Sequence, residues 1–395
     1  LPILGWSSDT AYALRDANLG NDRFLHQFLE MNRAQSVDEL RAALHQVQGI
    51  PWVNTIAADR DGNTYYADTS TAPALTAEAQ ADWERSLDED LIAALMFEQR
   101  IALLDGSRSS HEWLDVDGAP AAGVESFDRL PELRGADYVF NANDPYWAPH
   151  AIERIQRCTA MAGLYQRPLS PRTRTNAWVL EGAGPLIGQA GRVSSDEVVH
   201  AALSNHSLLA QHLCDDVVER GRSAGTVEID DARVDLAAVA EVLDRWDRRY
   251  ELDSVGAALW REFLAGFTDA ELRDRGQLFA DGFDVSDFVS GPATLAAPGE
   301  VDQVAVALAR AVLALAEAGL PPDCRLGDVQ FVERGGRRVA LHGGGEVEGV
   351  TNVVMAFGGL ARDDLEPPEY TYVPAAGRDL RTGLHQGGYP VEYGV

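Results

Sequence analysis

Lysine is absent from the 395 residues, so all 33 basic residues are arginine, set against 62 acidic ones for a formal net charge of -29. A chain this acidic repels phosphate backbones and anionic headgroups, which argues against nucleic-acid and membrane-surface partners. The acidity itself reads as a solvation habit of the kind seen in salt-adapted proteins and says little about substrate. Cysteine is scarce: Cys158, Cys214 and Cys324 stand far apart with no CxxC pair, so neither a zinc site nor a disulfide scaffold is indicated. Their odd number leaves at least one free thiol, read as a small buried apolar residue. No apolar run approaches the roughly 18 residues of a membrane span. The opening "LPILGWSSDT" lacks the basic stretch, apolar core and cleavage site of a secretory signal. It also lacks a starting methionine, and the closing "GGYPVEYGV" reads as the middle of a strand, so the expectation is a chain cut at both ends. No GxGxxG or P-loop is present to suggest a nucleotide cofactor.

What is present suffices for a large core: 46% of residues are hydrophobic and 24% charged. Residues 21–34 place Phe24, Leu25, Phe28 and Leu29 on one helical face behind Asn21 as cap. Ser36 and Glu39 open a second helix as a capping box, closed by Gly49. Asp61-Gly62 then marks a hairpin. A calcium loop on Asp59, Asp61 and Asn63 is disfavoured, because the glycine comes too early and no closing glutamate follows. Residues 81–135 look mixed and loop-rich and lead into a strand, "DYVFNAN". Helices are expected at 151–164, from a second capping box at Ser194 and Glu197 through Glu219, from Val234 to Tyr250, from Ala257 to Phe267 and from Val301 to Ala318. A hairpin around Gly335-Gly336 follows. No repeat or linker divides the chain, which reads as one α+β unit over 1–395.

Several motifs invite chemistry. "GRSAG", 221–225, matches the GxSxG nucleophile elbow, and "HGGG" at His342 to Gly345 imitates a lipase oxyanion loop. An elbow follows a strand and opens a helix, whereas Gly221 ends a helical pattern and precedes the strand-like "TVEID", so Ser223 reads as part of a helix-terminating turn. His200, His206 and His212 recur every six residues, which spreads them around a helix instead of pairing them on one face for a metal. In "YVFNANDPYW", 138–147, Asn143 closes a β-run, where a carboxamide held by the sheet could donate to an oxyanion. The alternative is an Asx turn before Pro145, which the residues alone favour.

The segments "AYALRDANLGN", "GIPWVNTIAADRDGNTYYAD", "LDGSRSSHEW", "YVFNANDPYW", "PLSPRTR", "LDRWDRRYELDSVGAALWREF" and "GLPPDCRLGDVQFVERGGRRVALHGG" occur in order along the chain. Together they resemble the β-subunit of the penicillin acylase family of N-terminal nucleophile hydrolases. The nearest branch is the one that includes acyl-homoserine lactone acylases and aculeacin-type lipopeptide acylases. The resemblance implies an αββα sandwich, incomplete in this chain, and a precursor whose self-cleavage exposes a serine nucleophile with its own α-amine as base. It also implies an α-subunit from the same precursor, an N-acyl amide substrate, a periplasmic or secreted location and no required cofactor. Structural calcium occurs in some members, with no ligands assignable here. Residue by residue, Asn143 matches the oxyanion asparagine, with Asn141 a structural neighbour. Arg172 or Arg174 matches an arginine that supports it, Arg172 being preferred. Trp52 matches an aromatic that lines the acyl pocket, against the alternative of a plain core tryptophan. The departure is Leu1 where the family has serine: the nucleophile, its flanking strands and a second backbone oxyanion donor are expected on sequence outside the chain. The chain alone is then expected to be inactive. Two other functions stand beside this one: a degenerate, acylase-like binding protein, and an α/β-hydrolase using Ser223.

Overall fold

A computed structural model describes residues 5, 7–98, 101–135, 137–182, 193–229, 231–334 and 337–352, with short strand segments at 374–375 and 378–379. The expected strand in "GGYPVEYGV" lies outside them. The architecture is α+β, and the chain falls into two compact units, Leu1–Arg167 and Pro168–Val395.

In the first unit, α1 (Phe24–Arg33) and α2 (Val37–Val47) form the expected pair, although with different ends. Asn21 is not the cap; Arg23 holds that position, and the Asn21 amide instead donates to Asn18 and to the Gly49 carbonyl. Ser36 does cap α2, accepting from the Glu39 N–H, while Glu39 reaches back to Gln35. The left-handed residue that ends α2 is Gln48, at φ 48°, one before the expected glycine. The apolar face of α1 points outward: Phe24, Leu25, Phe28 and Leu29 are exposed, whereas the polar Gln27 is fully buried. Gln27 bridges the pair, donating to the Ala43 carbonyl at 3.2 Å and accepting from the Gly49 N–H at 3.0 Å.

Strand β1 (Thr55–Ala58) turns at the expected Asp61-Gly62 and pairs antiparallel with β2 (Thr64–Ala67), Thr55 opposite Ala67. Asp59 knits the turn by accepting from the N–H groups of Asp61 and Asn63, both at 3.0 Å. The Asn63 amide, which also donates Nδ2 to this carboxylate, is the main cause that holds the carboxyl down to about 2, with the backbone bonds adding to it. Two helices that composition had hidden follow, α3 (Ala77–Glu89) and α4 (Leu91–Glu98). The third strand, β3 (Glu132–Gly135), adds to β2 with Ala67 opposite Glu132, so β2 is central and fully buried. Alternation sends Tyr65 and Tyr66 to opposite faces. Tyr65 donates to Glu132, which Arg41 also grips through two nitrogens.

The expected strand "DYVFNAN" and the helix at 151–164 are both absent. After β3 the chain is irregular, closed by the Phe140 N–H to the Pro149 carbonyl at 2.8 Å. Side chains take the backbone donors a helix would have used: His150 Nδ1 accepts from Ile152 and Glu153, Tyr146 Oη from Cys158 and Gln80 Oε1 from Ala160. Only a 3₁₀ turn at Ala160–Ala162 remains.

The second unit opens with α5 (Pro171–Leu180), capped by Ser170 with proline at its first position. The helix expected from Ser194 to Glu219 is two: α6 (Ser195–Ala202), with its full capping box, and α7 (Leu208–Ala224). The break falls at buried Asn205, which bonds to His342 and Asn352 far along the chain. A hairpin of β4 (Thr226–Ile229) and β5 (Ala232–Asp235) returns into α8 (Leu236–Asp244), which packs back on α7. With α9 (Ala257–Leu264) and α10 (Gln303–Glu317) these helices enclose the main core, in which Trp246, Trp260, Phe263 and Phe279 are buried. A short α11 (Leu326–Val329) precedes the expected hairpin of β6 (Phe331–Arg334) and β7 (Arg337–Ala340), and β8 (Pro374–Ala375) pairs with β9 (Arg378–Asp379).

Candidate active site

Asn143 sits on a turn, as the residues alone favoured, and not on a strand end. Its backbone is left-handed at φ 68°, a region asparagine tolerates better than other residues with a Cβ. The turn is an Asx turn: Asn141 Oδ1 accepts the Asn143 N–H at 2.8 Å, and Asn141 Nδ2 donates to the Asp144 carbonyl at 3.1 Å. Asn143 is exposed, while Tyr146 and Trp147 just beyond are buried and anchor the loop. The Asx turn presents Asn143 at the surface, whereas the β-run expected to hold it is not there. Asn141, the structural neighbour, also accepts from Asn54 Nδ2 at 3.3 Å, and Asn54 Oδ1 accepts from Tyr66 Oη at 2.8 Å.

Trp52 lies two residues before Asn54 and is 77% exposed. Within this chain Trp52 is not part of a core, and its ring is open for contact.

The two arginines of α5 are both buried, and their spacing of two residues puts them roughly 200° apart around the helix. Arg174 is committed inside its own unit: Nε donates to the Phe288 carbonyl and Nη2 to that of Pro292, both at 2.9 Å. Burial lowers its pKa to about 10, opposed by Asp281 and Asp287, so it stays charged at neutral pH. Arg172 projects from the opposite side of α5.

The competing motifs are structural. Ser223 lies in the last turn of α7, with Gly225 ending the helix and β4 following. That order is helix then strand, the reverse of a nucleophile elbow. The "HGGG" residues join a buried polar knot: Arg261 pairs with Glu348 at 3.1 Å, and His342 meets Asn205. Nothing in the sequence singled out Glu348, whose partner is 87 residues away. His200 is on α6, His206 in the break and His212 on α7; burial lowers the last two to about 4. Among the described residues no group of three or more histidines, cysteines or acids is placed to hold a metal ion. A cavity of about 480 Å³ lined by Gln80, Glu84, Arg129, Arg157 and Cys158 includes neither Asn143 nor Trp52 and lies apart from this chemistry.

The sequence profile described as Penicillin amidase matches residues 2–377, and the chain belongs to that family. It is 32% identical over 359 residues to the acyl-homoserine lactone acylase PvdQ of Pseudomonas fluorescens (strain Pf0-1), covering 89% of this chain and 42% of that one. It is 33% identical to the aculeacin-A acylase of Actinoplanes utahensis, covering 88% of this chain and 43% of that one. The chain thus spans less than half the length of these relatives. A thermostable penicillin G acylase from Alcaligenes faecalis is a structural neighbour at TM-score 0.43 and 16% identity, covering 76% of this chain and 53% of that one.

Proposed function

We propose that the protein carrying this chain is an amide hydrolase that removes the acyl group from an N-acylated small molecule. The best candidates are a long-chain N-acyl-homoserine lactone or a lipopeptide, with an aryl-acetyl penicillin as the less favoured substrate. The observation that carries this reading is Asn143, exposed on a pinned left-handed turn in a chain of this family. A carboxamide N–H2 held so can donate to the oxyanion that forms when an amide carbonyl is attacked. By the family resemblance Arg172 is the preferred arginine for supporting that asparagine, with Arg174 as the alternative. Trp52 is assigned to the acyl chain, which its exposed ring can cover.

The attacking group is a serine at the start of a processed subunit, outside the 395 residues. Its α-amine, titrating at about 7.7 to 8.0, accepts the hydroxyl proton directly or through a water, and later returns a proton to the leaving amine. The ester left on the serine is then hydrolysed, and no cofactor is needed for either half. The fold that goes with this reading is the αββα sandwich. An α-subunit from the same precursor is the partner, in keeping with the exposed apolar faces of α1 and of Leu91, Ile92 and Leu95 on α4. Periplasmic or secreted location goes with this reading.

The test is to purify the native protein by release of fatty acid from an N-acyl amide and to sequence its subunit termini. A serine-initiated subunit containing these residues is expected, with no turnover by the isolated 395-residue chain. A purified protein that binds N-acyl amides but never hydrolyses them would overturn the proposal in favour of a binding protein.

A further inference from the structure

We infer that Tyr66 and Asn54 are positioning residues that set the conformation of the Asn141–Asn143 turn, so that the buried sheet orients the exposed amide. The inference rests on the reading of Asn143 as oxyanion donor and extends it to the residues that hold its turn against the sheet.

The direction of every bond in the chain follows from its last link. The Asn143 N–H can only donate, so Asn141 must present Oδ1 to it, at 2.8 Å. With Oδ1 so placed, Asn141 Nδ2 faces the Asp144 carbonyl at 3.1 Å, which can only accept. Asn54 approaches the same Oδ1 at 3.3 Å and must therefore offer Nδ2. That turns Asn54 Oδ1 toward Tyr66, whose hydroxyl donates at 2.8 Å. The backbone groups of the turn thus fix the orientation of two amides in series, and the hydroxyl, which can donate or accept, ties that series to the sheet. Tyr66 is itself immobile: it lies in β2, is fully buried and pairs opposite Ile56 of β1 and Leu133 of β3. Asn54 is held from behind, since it directly precedes β1. Asn141 and Asn143, by contrast, lie in irregular chain with no ladder beside them. An asparagine on a loop is a poor donor unless something rigid fixes its approach, because misplacement by about 1 Å can cost roughly a hundredfold in rate. The Tyr66 hydroxyl supplies that reference point from the centre of the sheet.

The experiment uses the full-length protein, with a long-chain N-acyl-homoserine lactone as substrate and thermal unfolding measured alongside. Tyr66→Phe, which keeps the ring and the fold, and Asn54→Ala are each expected to lower kcat by about 3- to 10-fold with KM and Tm unchanged. Neither should lower it further in an Asn143→Ala background, because all act through one group. Wild-type kcat in both variants, or losses that multiply with that of Asn143→Ala, would overturn the inference. The failure of the underlying reading looks different: Asn143→Ala itself would leave kcat unchanged. Hydrogen exchange at the Asn143 amide decides the structural claim without reference to activity. It is expected to speed up about tenfold or more in Tyr66→Phe and Asn54→Ala as the turn opens, and unchanged exchange would overturn the inference even if Asn143 proves catalytic.

Discussion

Arg174 donates to the carbonyl of Pro292 across 118 residues of sequence, at 2.9 Å, from a side chain that solvent does not reach. The same guanidinium holds the Phe288 carbonyl, so one cation fastens both ends of that loop stretch to α5. Removing it leaves two buried carbonyls without their donors and Asp281 and Asp287 without the nearby charge. Arg174→Met is expected to destabilise the protein by about 3 kcal/mol, read from urea unfolding, with new proteolytic cuts in 281–294. Arg174→Lys should recover only part of this, since an ammonium lacks the fork that spans two carbonyls. A neutral Arg174→Met would show that the loop holds itself.

Activity should separate the two surface residues of the candidate site. On the proposed reading of Asn143 as an oxyanion donor, Asn143→Ala is expected to lower kcat of the full-length protein by about a hundredfold to a thousandfold with little change in KM. Trp52→Ala should do the reverse, raising KM for long acyl chains while leaving stability within about 0.5 kcal/mol, because the ring is 77% exposed. A Trp52→Ala variant with unchanged KM across chain lengths would remove Trp52 from the acyl site.

Much of this organisation is legible in residue patterns, and the exceptions share a cause. The capping box at Ser194, the hairpin at Asp61-Gly62 and helix α10 depend on neighbours within a few residues, and they appear where expected. The break between α6 and α7 depends on Asn205 bonding to Asn352, 147 residues away, which no local pattern encodes. Helix α4 is nearly apolar all round, so its period carried no signal. The run "DYVFNAN" has strand composition but no partner strand among the described residues; donors in it go to Pro149 and to Asn141. At the candidate site, the turn at Asn143 was readable from asparagine and proline chemistry. The Tyr66 and Asn54 contacts beneath it were not, because they require the register of a folded sheet.

Glu125 gives a prediction about pH. Its carboxylate is wholly buried, with Arg129 Nε 3.1 Å away in an orientation that makes no hydrogen bond. Burial raises its pKa above the ordinary carboxylate range, with Arg129 opposing. Between the ordinary value and the raised one, the folded state binds more protons than the unfolded state. The contribution to stability is therefore present below the ordinary value and lost as pH rises through the folded one. Glu125→Gln abolishes that titration. Its stability relative to wild type should climb as pH rises through this window and level off near neutrality, at a gain of up to about 1 kcal/mol. Parallel stability profiles for the two proteins would refute the assignment.

Gly256 separates backbone strain from packing. It precedes α9 at φ 113°, and a Cβ there would lie 2.7 Å from the Cβ of Trp246, below any real contact distance. Trp246 cannot easily retreat: its Nε1 donates to the Arg249 carbonyl at 2.9 Å, and its ring sits 5.8 Å from those of both Tyr250 and Trp260. Gly182 makes the control, because it also has positive φ, at 66°, but among the described residues nothing lies within 4 Å of its would-be Cβ. Gly182→Ala should cost only the strain, about 1 kcal/mol. Gly256→Ala should cost at least about 2 kcal/mol more, with a blue or red shift of tryptophan fluorescence as Trp246 is displaced. Equal costs for the two variants would mean that the start of α9 moves aside, and that the indole of Trp246 does not fix where this helix begins.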